Sequence, residues 1–271
     1  MLKSKIDKAT GFEKRFENID TVIFDDQIQA SKAVAKEIAD LIRTKQEQKQ
    51  SCVLGLATGS SPKSLYAELV RLHREEGLSF KNVITFNLDE YYPMDPDSVN
   101  SYVRFMKELL FNHIDIPPQN CHIPDGTLAK EEIAAYCQGY EAKIEAAGGI
   151  DLQLLGIGGN GHIGFNESGS LQNSRTRLVA LDHITRVAAS KDFSGLANTP
   201  RTAITLGIKK IMEAKRVILL AWGEGKSNII KTSVEGEVGS QVPASFLQEH
   251  HNAVFVLNKE AASKLTRVNS P

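Results

Sequence analysis

The stretch that decides the fold is Cys52–Glu76, CVLGLATGSSPKSLYAELVRLHREE. Cys52–Ala57 is an unbroken apolar run, which is typical of a strand buried on both faces of a parallel sheet. A loop of small and hydroxyl residues follows. Ser61–Glu76 is then predicted as a helix, with Ser61 as its N-cap and Pro62 in its first turn. This succession of strand, loop and helix recurs along the chain and indicates βαβ units.

The rest of the chain alternates in the same way between short β-rich runs and longer amphipathic ones. Further strands are predicted at Thr21–Phe24, Val83–Leu88, Leu152–Ile157, Thr202–Leu206, Arg216–Trp222 and Ala253–Leu257. Further helices are predicted at Asp26–Lys45, Ser98–Phe111, Lys130–Ala147, Lys226–Val234 and Glu260–Lys264. The pattern predicts an α/β fold with a doubly wound, mostly parallel sheet and helices on both faces, a Rossmann-like three-layer sandwich. Residues 1–18 are predicted as an N-terminal extension and 19–271 as a single domain.

Composition restricts the class of partner. The net charge is -1, so bulk electrostatics favour neither nucleic acid nor a membrane surface. No apolar run reaches the roughly 18 residues that a membrane-spanning helix needs. The three cysteines, Cys52, Cys121 and Cys137, are widely spaced and odd in number, which favours a reducing compartment and hence the cytoplasm.

Parallel sheets bind ligands at the carboxyl ends of their strands, so the polar residues at those ends are the candidate site. The first strand end is Thr58-Gly59-Ser60-Ser61. Its backbone N–H groups and hydroxyls suit an anion at a helix N terminus. A plain turn from strand to helix explains the same residues equally well.

The second strand end is TFNLDEYYP, residues 85–93, where Asp89 and Glu90 follow an apolar run. Neighbouring side chains of an extended chain point to opposite faces, so only one carboxylate can face a given cleft. We predict Asp89 as a general base; the alternative is a pair of solvated loop charges.

The third strand end is LLGIGGNGHIGFNE, residues 154–167. His162 supplies an imidazole, a side-chain type suited to proton transfer at neutral pH, and Glu167 is close enough in sequence to orient it, which is a standard arrangement for such a step. The alternative is a flexible loop with a hydrogen-bonded histidine. Lys226, after a later strand, lies where it could reach a phosphate at the same sheet edge, although a solvated lysine is its simpler explanation.

The segments VLGLATGSSP, TFNLDEYY and LLGIGGNGHIGFNE, in this order and spacing, resemble the glucosamine-6-phosphate deaminase (isomerase) family. The resemblance runs from about Ile19 to about Arg267. The related 6-phosphogluconolactonases share the fold and an Asp-Glu segment, but their glycine–histidine loop lacks the following Asn-Glu.

The resemblance implies hydrolytic conversion of glucosamine 6-phosphate to fructose 6-phosphate and ammonia, without a metal or an organic cofactor. The family pattern makes Asp89, Asn160, His162 and Glu167 catalytic: the last three open the sugar ring, and Asp89 moves a proton between C2 and C1. The same pattern assigns the sugar phosphate to these residues: Thr58, Gly59, Ser60, Ser61, Lys191 and Lys226.

The sequence departs from the commoner family pattern at several positions. Asn160 replaces an Asp found in some members, so it can orient His162 but cannot carry charge. Lys191 stands where well-known members have a phosphate-binding arginine, and lysine lacks the bidentate fork. The loop is TGSSP rather than TGGTP. Val179 replaces a lysine that allosteric members use, so we expect no activation by N-acetylglucosamine 6-phosphate.

Two other functions remain open from the sequence. One is a lactonase or isomerase acting on another sugar phosphate, and the other is a sugar-phosphate sensor without catalysis. The resemblance also allows a homo-oligomer, because related proteins occur as monomers and as hexamers. Similar sequences continue into a second domain, so the chain is compatible with being part of a longer protein.

Overall fold

A computed structural model describes residues 16–269 and contains two sheets with helices around the larger one. The strands are β1 Asp20–Phe24, β2 Cys52–Leu56, β3 Val83–Asn87, β4 Asp89–Tyr92, β5 Cys121–His122, β6 Leu152–Leu155, β7 Arg177–Ala180, β8 Thr202–Thr205, β9 Val217–Ala221 and β10 Ala253–Asn258. The α-helices are α1 Gln27–Glu47, α2 Lys63–Glu76, α3 Tyr102–Leu109, α4 Ile133–Ala146, α5 His183–Ala189, α6 Ile208–Met212, α7 Ser227–Glu235 and α8 Thr266–Asn269.

The main sheet has seven strands in the order β1-β10-β9-β6-β2-β3-β5. Every pairing in it is parallel. Two apolar cores cover its two faces. In one core, Ile38 of α1 and Leu69 of α2 pack against the face of the sheet that carries Leu54. The other core lies on the opposite face, which carries Leu219. The predicted mostly parallel, doubly wound α/β fold is confirmed.

A separate three-stranded antiparallel sheet, in the order β4-β8-β7, stands beside the main sheet. Thr202–Leu206 is predicted as a strand and forms one at Thr202–Thr205, but it belongs to this small sheet. Neither of its partners is predicted from the sequence, because each has only four residues and neither shows a clear alternation of apolar and polar residues. The small sheet is important for the site, because Asp89 is the first residue of β4.

Two predicted helix starts are wrong. α2 begins at Lys63 rather than Ser61, because Pro62 takes the N-cap position and no side chain caps the helix. α3 begins at Tyr102 rather than Ser98, because Ser101 is the cap and its Oγ accepts a hydrogen bond from Arg104 N at 3.0 Å.

Two other predictions concern the ends of the chain. The predicted helix Glu260–Lys264 consists of turns. Residues 1–15, most of the predicted N-terminal extension, lie outside the described residues. The last residues of that extension are bound to the domain, since Asn18 N donates to Val234 O at 2.8 Å. Within residues 16–269, no helix is long and apolar enough to cross a membrane.

Candidate active site

The segments that follow adjacent strands enclose one cavity of about 350 Å³. The strands β6, β2 and β3 are neighbours in the sheet, so the loops at their carboxyl ends meet at the same edge. The chain leaves β2 towards β3 on one side, and β6 lies on the other, which makes this edge a topological switch point. The lining residues come from all three predicted strand ends and from two further segments: Thr58, Ser61, Asp89, His162, Thr185 and Lys226.

One wall of the cavity is the loop Thr58–Ser61. Gly59 adopts a φ of 89°, in the left-handed region that glycine tolerates best. Hydrogen bonds hold the carbonyls at both ends of the loop. Tyr66 Oη donates to Ala57 O at 2.5 Å, and Trp222 Nε1 donates to Ser61 O at 2.9 Å. The uncapped N terminus of α2 follows directly. Free N–H groups at the positive end of a helix dipole suit a phosphate.

Two lysines lie close to this wall but in different positions. Lys226 lines the cavity, and its Nζ donates to Ile157 O at 2.7 Å. Burial lowers the pKa of its ammonium group. Lys191 does not line this cavity; it lines an adjoining one that shares Gly59 and Ser60 with it. The two lysines therefore flank the loop from opposite chambers.

The carboxylate of Asp89 lies at the floor of the cavity, and the residue is 6% exposed. Antiparallel pairing places Asp89 directly opposite Thr205. Gly164 packs against both: a Cβ on it would lie 3.4 Å from Asp89 Oδ2 and 3.0 Å from Thr205 Oγ1. Burial raises the pKa of Asp89 to about 8, and the charge of Glu90 adds to the shift. A proton on this carboxyl is therefore exchangeable close to neutral pH.

Glu90 points away from the cavity and has a structural environment. It is 1% exposed, and its carboxylate accepts hydrogen bonds from the backbone N–H groups of Tyr91, Tyr102 and Val103 at 2.9, 2.8 and 3.2 Å. It thus satisfies the first N–H groups of α3. Burial raises its pKa to about 7, and these hydrogen bonds oppose the shift. The two adjacent carboxylates therefore have different surroundings on opposite sides of β4.

His162 lies in a tight turn after β6. Gly158 N donates to His162 O at 3.0 Å, and Gly161, with a φ of 85°, donates back to Gly158 O at 3.1 Å. The imidazole lies directly over Gly158, since a Cβ there would meet His162 Cε1 at 2.2 Å and both ring nitrogens at 2.3 Å. Gly158 is therefore required by the position of the ring.

Glu167 orients the ring of His162. The Nδ1 of His162 lies 3.1 Å from Glu167 Oε2, and Asn160 Nδ2 donates to the same oxygen at 2.7 Å. Burial alone would raise the pKa of Glu167, but the hydrogen bond and charge of His162, with donors on Asn160 and Thr185, lower it to about 2. An ionised carboxylate only accepts, so Nδ1 carries the proton. The other nitrogen, Nε2, then has a free lone pair in a neutral ring.

One segment of the site, the helix α5, is not predicted from the sequence. It contributes Thr185 to the cavity wall, in a region that the sequence marks mainly by its basic residues. Arg177 and Arg186 of that region lie outside the cavity lining and bind protein groups: Arg177 donates to Asn166 Oδ1 at 3.0 Å, and Arg186 to the carbonyl of Leu196 at 3.0 Å. A threonine in the first turn of a seven-residue helix carries no recognisable signal in a single sequence.

Among residues 16–269, no group of three or more His, Cys, Asp or Glu side chains is placed to hold a metal ion. His162 and Glu167 bind each other instead.

Comparisons with known proteins agree with the fold and the motifs. The family described as glucosamine-6-phosphate isomerases/6-phosphogluconolactonase matches residues 25–256. A putative glucosamine-6-phosphate deaminase-like protein of Bacteroides thetaiotaomicron is 49% identical over 264 residues, which cover 96% of this chain and 40% of that protein. The chain thus spans less than half the length of that relative. A glucosamine-6-phosphate deaminase of Halothermothrix orenii is 47% identical, covering 86% of this chain and 95% of that protein.

Solved structures show the same relationship. A monomeric glucosamine-6-phosphate deaminase superposes with a TM-score of 0.86 at 40% identity, covering 90% of this chain and 99% of that one. The 6-phosphogluconolactonase of Trypanosoma brucei superposes with a TM-score of 0.74 at 21% identity, covering 92% of this chain and 100% of that one. At that identity the second likeness concerns the fold alone.

Proposed function

Because the chain belongs to the glucosamine-6-phosphate isomerase/6-phosphogluconolactonase family, we propose that its cavity converts glucosamine 6-phosphate to fructose 6-phosphate and ammonia. One observation carries the proposal. A buried carboxylate on Asp89 and an oriented imidazole on His162 line the same cavity as the loop Thr58–Ser61. The reaction needs a base at carbon, an acid/base at the ring oxygen and an anion site for the phosphate.

The ring-opening step is assigned to His162. Its Nδ1 is held by Glu167, so Nε2 takes the proton from the hydroxyl on C1 and gives it to the ring oxygen. The bond between C1 and the ring oxygen breaks, and the bond between C1 and its former hydroxyl oxygen becomes a carbonyl. Glu167 stays ionised and stabilises the imidazolium that forms between the two transfers. Asn160 fixes Glu167 Oε2 and also accepts from His162 N at 3.2 Å, so its role is orientation.

Asp89 is assigned to the proton transfer between carbons. In the open aldose the carboxylate removes the proton from C2, and the same proton returns to C1. The carbonyl oxygen on C1 gains a proton and the amino nitrogen loses one, which leaves a hydroxyl on C1 and an imine at C2. Water adds to this imine and ammonia leaves, giving the ketose. The raised pKa of Asp89, about 8, suits a group that must both take and return a proton near neutral pH.

The phosphate is assigned to the loop Thr58–Ser61 at the N terminus of α2, with Lys226 beside it. Lys191 lies near the same loop in the adjoining cavity, so its ammonium group adds a second positive charge for the phosphate from the other side of the loop. This placement puts C1 and C2 of the sugar towards Asp89. The unpaired cysteines Cys52, Cys121 and Cys137 support action in the cytoplasm.

The assay is release of ammonia from glucosamine 6-phosphate by the purified chain, with 6-phosphogluconolactone as the competing substrate. We expect turnover of the amino sugar, and hydrolysis of the lactone instead would overturn the proposal. Asp89→Asn should bind glucosamine 6-phosphate without turnover, and His162→Gln should lower kcat by roughly two decades or more. A wild-type protein that binds the sugar phosphate and never releases ammonia would be a sensor.

A further inference from the structure

A residue outside the predicted set completes the surroundings of His162. Thr185 Oγ1 lies 3.2 Å from His162 Nδ1, the nitrogen that also faces Glu167. Thr185 is 8% exposed, and it is the only buried residue of α5 within the described chain. Its neighbours in the helix Ile184 and Val187 are 59% and 48% exposed. The helix therefore buries the hydroxyl of Thr185 beside the ring of His162, while the side chains of Ile184 and Val187 remain exposed.

The same segment also holds Glu167. Asp182 N donates to Glu167 Oε1 at 3.1 Å, while Glu167 Oε2 accepts hydrogen bonds from Asn160 Nδ2 and His162 Nδ1. Asp182 is the N-cap of α5, and its carboxylate accepts from Ile184 N at 2.7 Å, which fixes the start of the helix. The beginning of α5 therefore contacts both members of the pair: a backbone donor for the carboxylate and a hydroxyl beside the ring.

The chemistry of these groups defines the direction of the hydrogen bonds. Glu167 accepts only, so the proton between it and the ring belongs to Nδ1. The Thr185 hydroxyl then donates towards the Glu167 carboxylate and presents its lone pairs to Nδ1–H. The carboxylate of Glu167 therefore sets the tautomer, and the hydroxyl of Thr185 adds a second contact that keeps Nδ1 on this side of the ring. A ring rotated by half a turn, or protonated at Nε2, would leave the hydroxyl and the carboxylate without this N–H.

We infer that Thr185 is a positioning residue that holds the ring of His162 with Nδ1 towards Glu167, so that the carboxylate keeps the proton on Nδ1 and Nε2 stays available to the substrate. The hydroxyl acts through the imidazole and need not touch the reacting atoms. Its loss should therefore lower the fraction of correctly oriented rings, which reduces kcat, while the phosphate site at Thr58–Ser61 keeps KM nearly constant. The predicted fall in kcat rests on the proposed deaminase function. The predicted protonation of His162 at Nδ1 does not depend on that function.

The test compares Thr185→Val, which keeps the shape and removes the hydroxyl, with Thr185→Ser, which restores the hydroxyl. Val187→Thr is the control, because it places a threonine on the exposed side of the same helix. We expect kcat of Thr185→Val to fall about 10-fold, the usual effect of losing one hydrogen bond at a charged pair. We expect KM to change less than about twofold, and the serine variant to recover most of kcat.

Long-range ¹H–¹⁵N spectra of the imidazole rings give a readout that needs no turnover. The His162 signals are assigned by their loss in His162→Gln. In the wild type and Thr185→Ser they should report one tautomer with Nδ1 protonated, and in Thr185→Val a mixture. Unchanged spectra together with unchanged kcat in Thr185→Val would overturn the inference. If the spectra respond to Thr185 but no variant releases ammonia, the positioning role holds and the deaminase proposal fails.

Discussion

Replacing Asp89 by asparagine should make the protein more stable while it abolishes turnover. The carboxyl is 6% exposed, and its pKa is raised from 3.8 to about 8, mainly by burial. Between these two values the folded protein keeps a proton that the unfolded chain has released. Stability therefore falls as the pH rises from about 4 to about 8, and it levels off above the folded pKa. The neutral amide in the Asp89→Asn variant removes this dependence.

The size of the effect follows from the shift. A change of about 4 pKa units, at about 1.4 kcal/mol per unit, sets a ceiling of about 6 kcal/mol above pH 8. At pH 7 the corresponding ceiling is about 4 kcal/mol. The cavity is open to water, and relaxation around a charge lowers such penalties, so we expect roughly 1–3 kcal/mol at pH 7. For a chain of this size that is a rise in Tm of roughly 2–6 °C.

The measurement is thermal unfolding of wild type and Asp89→Asn at several values between pH 5 and pH 9. The difference in Tm should be small at pH 5, grow until about pH 8 and then stay constant. Asp97→Asn is the matched control, because Asp97 is exposed, and its difference should stay near zero throughout. Parallel curves for wild type and Asp89→Asn would refute the claim that the folded cavity holds a proton on Asp89.

Three further outcomes follow from the same site. The kcat/KM of the wild type should rise with pH and level off with an apparent pKa near 8, because only ionised Asp89 can remove the C2 proton; a rate independent of pH from 6 to 9 would contradict this role. Gly158→Ala should lower kcat by at least about 10-fold, because its Cβ would occupy the space of the His162 ring, whereas Gly159→Ala, with nothing within 4 Å, should be active. Rate curves should be hyperbolic with or without N-acetylglucosamine 6-phosphate, and a sigmoidal curve that this ligand made hyperbolic would contradict the prediction from Val179.

The meeting of the three predicted strand ends was foreseeable from the sequence for a physical reason. Parallel strands of one sheet present their carboxyl ends at one edge, so recognising the strands before Thr58, Asp89 and Gly158 is enough to place their loops at that edge. Their contact with one another depends on β6, β2 and β3 being neighbours, which the sheet order provides. No side-chain contact has to be known for that step. That only one of Asp89 and Glu90 faces the cavity also follows from the backbone, since neighbours in a strand point to opposite sides. The structure shows that it is Asp89.

Other features depend on tertiary contacts that leave no local pattern. Serine is a residue type favoured at an N-cap, yet Pro62, with φ -83° and ψ -5°, occupies the N-cap position of α2. Ser61 therefore belongs to the loop that lines the cavity. Thr185 contacts His162 across 23 residues. Lys191 follows the family pattern in sequence, but the fold places it in the adjoining chamber. Each of these positions is fixed by packing between segments that are distant in the chain.

The small antiparallel sheet explains how a buried, raised-pKa carboxylate can be held in place. Asp89 pairs with Thr205, so β8 fixes its backbone, while its neighbour Glu90 receives three backbone N–H groups on the other side. Those hydrogen bonds anchor the start of α3 to β4 and offset part of the penalty of burying two carboxyls side by side. Within residues 16–269 the carboxylate of Asp89 receives no comparable set of backbone N–H groups, which fits the proposed role of a base open to a substrate. The two adjacent carboxyls thus differ in role. Glu90 stabilises the wall of the cavity, whereas burial of Asp89 disfavours its charged form and so raises its pKa.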